Sequence, residues 1–316
     1  MKRRILYAGL IVSVVVITAM VGGYTTWNTL NPVNTCAQCH EVSPSHATWS
    51  QSAHAKVRCI DCHGTALSHG AYSLHEKTSM MWTHFTGDKR NSDIRLTEAQ
   101  MLDVVAKCAS CHQAEHAGWM ESGHAATYQD IFMDKEHNRM EKPYADCFRC
   151  HGMFYEGDLH TLMSLEGEAD DWHIHDKTQA PRPSITCLSC HKIHTPNPVS
   201  RRWISTDSIP LPDRAPHTAL YIRADKMHLR ADHLTPVQMV HGDTIIRAAT
   251  DPVTLLCQQC HAPNATHQVG SEDDRTPTGD FERWSCISCH SNHSMRTSTL
   301  YDPIKKRNGV ENPHRQ

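Results

Sequence analysis

The chain carries one short motif, Cys-x-x-Cys-His, seven times, and these copies use all fourteen of its cysteines. Two thiols three positions apart can reach the two vinyl groups on one edge of a porphyrin, and the histidine that follows can lie under the iron. The motif is therefore typical of covalent haem c attachment. The predicted attachment cysteines are Cys36, Cys39, Cys59, Cys62, Cys108, Cys111, Cys147, Cys150, Cys187, Cys190, Cys257, Cys260, Cys286 and Cys289. The predicted proximal iron ligands are His40, His63, His112, His151, His191, His261 and His290.

Zinc sites and disulfides are the competing interpretations of such closely spaced cysteines. Zinc also binds Cys-x-x-Cys pairs, but it does not require a histidine at the next position in every copy. Histidine makes up 26 of the 316 residues, so composition does not explain its presence after all seven pairs. Disulfides between cysteines three apart would be strained and would leave the histidines unexplained. The sequence therefore predicts seven covalently bound haems c.

A six-coordinate haem iron needs a second, distal ligand, and most of the 26 histidines lie outside the motifs. The pattern Trp-x-x-Ser-x-His occurs twice, ending in His54 and His124, each before a further motif, so these two rank first. His194 and His293 rank next, because each lies about one helical turn beyond a proximal histidine. The lower-ranked distal candidates are His84, His116, His160, His267, His69, His75 and His241.

Other side chains near the motifs have less specific roles. Three methionines lie near motifs, and we expect them to fill the core and not to bind iron. They are Met81, Met153 and Met163. Two histidine pairs can be interpreted either as iron ligands or as exposed side chains. They are His173 with His175 and His228 with His233. The sequence assigns no catalytic residue.

The N-terminus combines basic residues with a long apolar run. Lys2, Arg3 and Arg4 precede an uncharged stretch from Ile5 to Tyr24, which is long enough to span a bilayer as a helix. Basic residues before such a helix predict a cytoplasmic N-terminus and place the rest of the chain outside. A cleaved signal peptide is the alternative, but the run is longer than usual and no clear Ala-x-Ala site follows. We expect a single-pass anchor in the cytoplasmic (inner) membrane and a periplasmic ectodomain.

Composition predicts an unusual core. Aromatic residues are 6% of the chain and its mean hydropathy is −0.52, so the porphyrins are expected to form much of the interior. We predict a mainly α protein with extensive irregular loops, wrapped around a chain of haems, with one N-terminal transmembrane helix and little β structure. The net charge of −3 gives no reason to expect nucleic acid as a partner.

Motif spacing predicts four regions. Successive first cysteines are 23, 49, 39, 40, 70 and 29 residues apart, so a long insert separates five motifs from a final pair. Prolines at 196, 198, 210, 212 and 216 predict that the insert begins as an extended connection. The predicted regions are 1–27, a cytoplasmic tip and transmembrane anchor; 28–195, a pentahaem region; 196–256, a Pro-rich connection; and 257–316, a dihaem region with a tail.

Residues up to about 90 resemble the membrane-anchored multihaem quinol dehydrogenases of the NapC/NirT/NrfH type. The matching features are the N-terminal helix, the first two motifs, the segment Trp49–His54 and the sequence from Met81 to Gly87. From residue 100 onward the chain is similar, more loosely, to hydroxylamine-oxidoreductase and octahaem reductase types. The chain departs from the first family in having seven motifs instead of four or five. It also has Glu41-Val42 where the nitrite-reductase partner subset has a methionine two residues after the first proximal histidine.

The resemblance implies electron transfer from membrane quinol, near the first haem, to a periplasmic redox protein or reductase subunit. Candidate quinol-proximal groups are Glu41, Lys56, His84 and Lys89. The alternative is a terminal reductase or oxidase of a small nitrogen or sulfur compound, with one open-site haem near Tyr144–Tyr155 and Arg149, or near 217–223. As a building block of a larger assembly, the chain would use its long insert as a docking arm.

Overall fold

The structure is a computed structural model of the 316-residue chain. It divides into two compact units, Met1–Ile94 and Arg95–Gln316. The residues that it describes are 2–68, 71–86, 96–140, 142–194, 218–224, 226–231, 234, 238–241, 244–248, 252–261, 285–291, 293, 299–302 and 307–311.

The first unit begins with one long helix, α1 (Lys2–Thr29). Residues 3–29 are long and apolar enough to cross a membrane, and none of the most apolar stretch is buried inside the protein. A helix that is hydrophobic all round and exposed on every side has the properties that a bilayer requires. Among the described residues, α1 alone meets this criterion.

The rest of the first unit consists of short helical turns joined by irregular segments. Two 3-10 turns, Pro32–Asn34 and Cys36–Gln38, follow α1, and the Asn31 side chain caps the first of them. The longer α4 follows, and in its first turn the buried hydroxyl of Ser73 contacts the hydroxyl of Ser68. The helices are α2 (Ser43–Trp49), α3 (Cys59–His63) and α4 (Ala71–Thr86).

The second unit contains further short helices, several of which begin with a side-chain cap. The Thr97 hydroxyl accepts a hydrogen bond from the backbone N–H of Gln100, and Gln100 Oε1 accepts one from the backbone N–H of Thr97. Such reciprocal caps satisfy backbone groups that a helix start leaves without partners. The helices are α5 (Glu98–Cys111), α6 (Gln113–Met120), α7 (Tyr128–Phe132), α8 (Lys135–Met140), α9 (Leu159–Leu162), α10 (Cys187–Cys190), α11 (Pro252–Gln258) and α12 (Cys286–Cys289).

The described β structure consists of four separate two-stranded antiparallel sheets. The second sheet pairs Ala219 with Arg230 and Ile222 with Met227 in unbroken register. The third and fourth each contain one register shift. The strands are β1 (Met163–Ser164), β2 (His173–Ile174), β3 (Ala219–Ile222), β4 (Met227–Arg230), β5 (Gln238–His241), β6 (Thr244–Ala248), β7 (Thr299–Asp302) and β8 (Arg307–Glu311).

Among its described residues, the buried apolar side chains of the second unit form three small clusters instead of one core. The largest, which we call the aromatic cluster, contains Tyr128, Phe132, Phe148, Tyr155, Leu159, Leu162, Met163 and Ile174. The second contains Met153, Leu220, Ala231, Leu234, Leu255 and Leu256. The third contains Met101, Val105 and Leu188. Met153 and Met163 therefore fill core positions, as the sequence predicts for them. The same prediction is wrong for Met81, which is 59% exposed on α4.

A buried charge joins α5 to the aromatic cluster. The Glu98 carboxylate, in the first turn of α5, is 5% exposed. Arg182 Nη1 donates to its Oε2 over 2.5 Å, and the Tyr128 hydroxyl donates to its Oε1 over 2.5 Å. A buried carboxylate is tolerated only when it is paired and hydrogen-bonded in this way. The three side chains therefore hold together segments far apart in the sequence.

Burial, and then the neighbouring Glu98 charge, raise the pKa of Tyr128 far above its ordinary value of 10. A group whose pKa is raised by folding contributes stability that is complete below its unfolded pKa and is lost as the pH rises above it. We expect this contribution to decline above pH 10, by up to about 1.4 kcal/mol per pH unit. Alkaline unfolding of Tyr128→Phe should be less steep than that of the parent. Equal pH slopes for the two proteins would contradict the prediction.

The predicted fold class is confirmed, because the described chain is mostly helical, with little strand and one apolar N-terminal helix. The region boundaries predicted from motif spacing stay predictions. Strands β5 and β6 lie within the predicted connection, 196–256. The prolines at 196, 198, 210, 212 and 216 lie outside the described residues.

Candidate haem-attachment sites

Most of the seven motifs close a helical turn. The backbone N–H of the histidine donates to the carbonyl of the first cysteine in five motifs, over 2.7–2.9 Å. Residues three and four apart in such a turn share one side of the helix. Both thiols and the imidazole therefore face the same side of the backbone. These five histidines are His112, His151, His191, His261 and His290. In the second motif, helix α3 spans all five residues from Cys59 to His63.

The cysteines fit thioether formation better than cross-linking, because no disulfide joins any of the fourteen. Thiols of different motifs nevertheless approach one another. Cys150 and Cys260 hydrogen-bond to each other, which together with burial raises the pKa of Cys260. The Cys190 thiol lies close enough to Cys260 to contribute to that shift. Burial raises the pKa of Cys190 itself to about 11. The fourth, fifth and sixth motifs therefore converge in the second unit.

The first motif has a different geometry. Its 3-10 turn ends at Gln38, so His40 lies beyond it. Glu41 lies between two imidazoles, with Oε1 3.1 Å from His40 Nε2 and Oε2 2.7 Å from His84 Nδ1. Burial alone would raise the pKa of Glu41, but its own backbone N–H, His84 and His40 together hold it below its ordinary value. The carboxylate is thus kept charged beside the histidine of this motif.

The Cys39 thiol belongs to the same group of side chains. The ligand atoms of Cys39, Glu41 and His84 lie within 4.8 Å of one another. Because Cys39 is a predicted attachment cysteine, we regard this group as part of the candidate first haem site and not as a separate metal site. The sequence ranked His84 low as a distal ligand and named Glu41 as a quinol-proximal group. The structure brings both together at the first motif.

A cavity of about 490 Å³ lies between the end of α1 and the first two motifs. This volume is within the range of small-molecule and cofactor sites. Cys36 and Cys59, the first cysteines of the two motifs, both line it, with Lys56 and Arg58 supplying positive charge. The propionate groups of a haem are anionic, so the lining suits a porphyrin in charge as well as in size.

The two Trp-x-x-Ser-x-His segments form the same local structure in the two units. In the first, Ser52 donates its hydroxyl to Trp49 O over 2.8 Å and accepts from His54 N over 3.1 Å. In the second, Ser122 donates to Trp119 O over 2.7 Å, and the N–H of the following histidine donates to Ser122 Oγ over 3.2 Å. Both serines are buried. The repeat in the sequence is therefore a repeat in structure.

Each segment also includes an earlier histidine that packs against its tryptophan. The ring centroids of His116 and Trp119 are 5.4 Å apart, and those of His46 and Trp49 are 5.3 Å apart. His46 also lines the cavity beside the first motif. From the sequence, His116 ranks low among the distal candidates and His46 is not among them. Extending the repeat backward to His-Ala-x-Trp-x-x-Ser-x-His is the signal that would have found it.

Two candidate distal ligands lie close to proximal histidines in the second unit. The ring centroids of His124 and His261 are 6.0 Å apart, with the rings inclined by 61°. Those of His191 and His293 are 6.1 Å apart, with the rings inclined by 22°. The sequence ranked His124 and His293 high, but it did not indicate which motif either would face.

The remaining candidates have other surroundings. His160 is exposed on α9, and its carbonyl lies 3.1 Å from His175 Nε2. His173 is exposed as well. His228 Nε2 lies 2.7 Å from Leu188 O, and burial lowers its pKa, so it braces the fifth motif from β4. His54 and His194 are half-buried. The side chains of His69, His75, His233, His241 and His267 and the whole of Lys89 lie outside the described residues.

The donor set fits haem c: paired thiols outside disulfides, an imidazole on the same side of the turn, and facing imidazoles at two motifs. The first motif fits in its thiols, whereas its imidazole contacts Glu41. Zinc would need neither the facing imidazoles nor the cavity at the first two motifs.

Comparisons with known proteins agree with this interpretation. Residues 107–192, which include the third to fifth motifs, match the family described as cytochrome c554 and c-prime. The chain is 24% identical over 136 residues to the cytochrome c-type protein NrfH of Wolinella succinogenes, which covers 41% of this chain and 71% of that protein. No solved structure matches the chain. With its attachment motifs and its apolar N-terminal helix, the chain is a multihaem c-type cytochrome, related to NrfH and in its central part to the cytochrome c554 family.

Proposed function

We propose that this chain is a membrane-anchored heptahaem cytochrome that carries electrons from quinol, outside the cytoplasmic membrane, to a periplasmic redox partner. The observation that carries the proposal is that all fourteen cysteines belong to seven Cys-x-x-Cys-His motifs, none of them in a disulfide. The apolar α1 supports anchoring. The similarity to NrfH, together with the NapC/NirT/NrfH-type features of the first 90 residues, supports quinol as the electron donor.

Ring distances support two specific ligand pairs. An imidazole nitrogen lies about 2 Å from a bound metal, and the ring centre lies roughly 1 Å behind that nitrogen. Two imidazoles on opposite sides of one iron therefore have centroids about 6 Å apart. The separations of 6.0 Å for His124 and His261 and 6.1 Å for His191 and His293 agree with this value. We assign each pair to one iron.

The repeated segment extends the assignment. Because His54 is held by the same serine hydrogen bonds as His124, we propose His54 as a distal ligand in the first unit. The other high-ranked candidate, His194, lies half-buried three residues beyond a proximal histidine and keeps the role that its spacing predicts.

The protein's own contribution is to hold and insulate the redox groups. When bound, each haem supplies reversible one-electron transfer, and the protein sets its potential through axial ligand, burial and hydrogen bonding. In the motifs that form a helical turn, the turn holds both thiols and the imidazole on one side of the backbone. Ser52 and Ser122 orient the residues that carry the distal imidazoles. The Cys150–Cys260 contact brings two attachment edges together, as a relay between neighbouring haems requires.

Two measurements on the purified full-length protein test the proposal. Intact mass and the pyridine haemochrome assay should give seven haems per chain, and a lower number would refute the heptahaem assignment. In lipid nanodiscs without oxygen, a short-chain quinol should reduce part of the haem absorbance within seconds. Dithionite gives the total reducible haem as a control. Reduction by dithionite but not by quinol would exclude quinol as the donor.

Substituting Ser122 tests its positioning role. In Ser122→Ala, the N–H of His124 loses its acceptor in a buried place, which costs about 1–3 kcal/mol and loosens the imidazole. We expect one haem to change its low-spin EPR g-values and its midpoint potential, with the haem count unchanged, and Ser122→Thr to restore both. Thr161→Ala is the matched control, because the Thr161 hydroxyl also donates to a carbonyl three residues back but is exposed and lies outside the motifs. Spectra of Ser122→Ala identical to those of the parent would refute this role.

A further inference from the structure

Helix α4 has one face packed against its own unit. At 3.6 residues per turn, Ser73 and Lys77 each lie within about 20° of His84 around the helix. The buried Ser73 hydroxyl lies 3.4 Å from Ser68 Oγ, and Lys77 Nζ lies 3.5 Å from the carbonyl of His63. His84 contacts Glu41. This face therefore meets the segments that carry the first two motifs.

A second face of α4 is apolar and exposed. Its members lie roughly 60–160° around the helix from His84, so they form a continuous stripe beside the packed face. Met81 is 59% exposed, Trp82 71% and Phe85 74%, and Leu74 is also exposed. We call these four residues the α4 apolar face. Contiguous exposed apolar surface of this kind marks a contact with a partner or a membrane.

A hydrogen bond relates this part of the chain to the end of the apolar run in α1. The Tyr24 hydroxyl donates to Thr65 Oγ1 over 2.5 Å, and Thr65 O accepts from the Ser68 hydroxyl, which contacts Ser73 in the first turn of α4. The run from Ile5 to Tyr24 is about 30 Å long as a helix, the thickness of a bilayer's hydrocarbon core. Tyr24 thus marks its outer edge, the level at which Tyr and Trp are enriched in membrane proteins.

We propose that the α4 apolar face lies in the lipid–water interface of the membrane that α1 anchors. The start of α4 is tied to the residue at the edge of the hydrocarbon core, and the face contains the aromatic and thioether side chains that suit this region. A lipid surface is favoured over a second copy of the chain because the start of α4 is tied to Tyr24, at the edge of the hydrocarbon core. It is favoured over a haem because the motif segments meet the other face of the helix. The inference rests on the proposed membrane anchoring by α1.

Photolabelling in a bilayer tests the proposal with the full-length haem-loaded protein. Nanodiscs of phosphatidylcholine and phosphatidylglycerol would contain a phospholipid with a diazirine near the glycerol end of its acyl chain. After irradiation and digestion, mass spectrometry should find label in α1 and in the peptide that contains Trp82 and Phe85. In Trp82→Glu/Phe85→Glu, label on that peptide should fall at least about tenfold, because two large apolar contributions to partitioning are lost. Met120→Glu, which changes an exposed apolar residue of the second unit, should leave both signals unchanged.

The outcomes separate this inference from the anchoring on which it rests. Label in α1 without label in the α4 peptide would overturn the interfacial position while leaving the anchor intact. Cross-links between α4 peptides of two chains in place of lipid label would assign the face to a second copy and overturn the inference. Absence of label from α1 would refute the anchoring itself, and the α4 position with it.

Discussion

Replacing His124 with glycine is expected to convert one haem from the low-spin to the high-spin state. His124 and His261 lie at the separation of two imidazoles on one iron, so removing the distal one opens a coordination position. Low-temperature EPR should show the loss of about one seventh of the low-spin signal, and the reduced protein should gain the ability to bind carbon monoxide. His293→Gly should do the same to a different haem, because His293 faces His191.

Double variants test which histidines share an iron. His124→Gly/His293→Gly should affect two haems, whereas His124→Gly/His261→Ala should affect only one, since both substitutions act on the same iron. His160→Gly is the control, because that side chain is exposed and contacts no motif histidine among the described residues. If His124→Gly/His261→Ala disturbed two haems, the assigned pair would be wrong. A haem count on each variant separates loss of a ligand from loss of the haem.

The local structure of the sites could be predicted from the sequence because its determinants are local. A Cys-x-x-Cys-His pentapeptide contains the thiols, the imidazole and the spacing that one helical turn aligns, and five motifs form this turn. The two Trp-x-x-Ser-x-His segments likewise form equal structures, because Ser52 and Ser122 bond to atoms within three residues. The first motif differs because Glu41 directly follows its histidine and contacts it. That departure was visible in the sequence, although its geometry was not.

The pairing of segments could not be predicted, because it depends on contacts between residues far apart in the chain. Nothing near His124 indicates that it faces His261 and not His151, and nothing near Cys150 indicates its contact with Cys260. Many histidines compete for few positions, so spacing alone ranks them poorly. The small clusters around Phe148 and Met153 decide which motifs become neighbours. The order of motifs along the chain therefore does not give their order in space.

The ion pair of Glu98 illustrates the same dependence and leads to the largest expected effect on stability. Glu98→Ala removes the acceptor of both Arg182 and Tyr128 and leaves a largely buried guanidinium without its counter-charge. Breaking a buried pair in this way costs about 3 kcal/mol or more. We expect a lower thermal unfolding midpoint and faster amide hydrogen exchange in α5 and around Arg182, with the haem count unchanged.

An exposed ion pair provides the control for Glu98. Asp170 contacts Lys135 over 2.9 Å and Arg139 over 3.2 Å, but its side chain is 54% exposed. Water and salt screen such a pair, so Asp170→Ala should leave the unfolding midpoint unchanged. Glu98→Ala/Arg182→Met should be more stable than Glu98→Ala alone, because the second substitution removes the uncompensated charge and keeps apolar volume. Equal stability of these two variants would show that Glu98 acts through its position at the start of α5 and not through the buried pair.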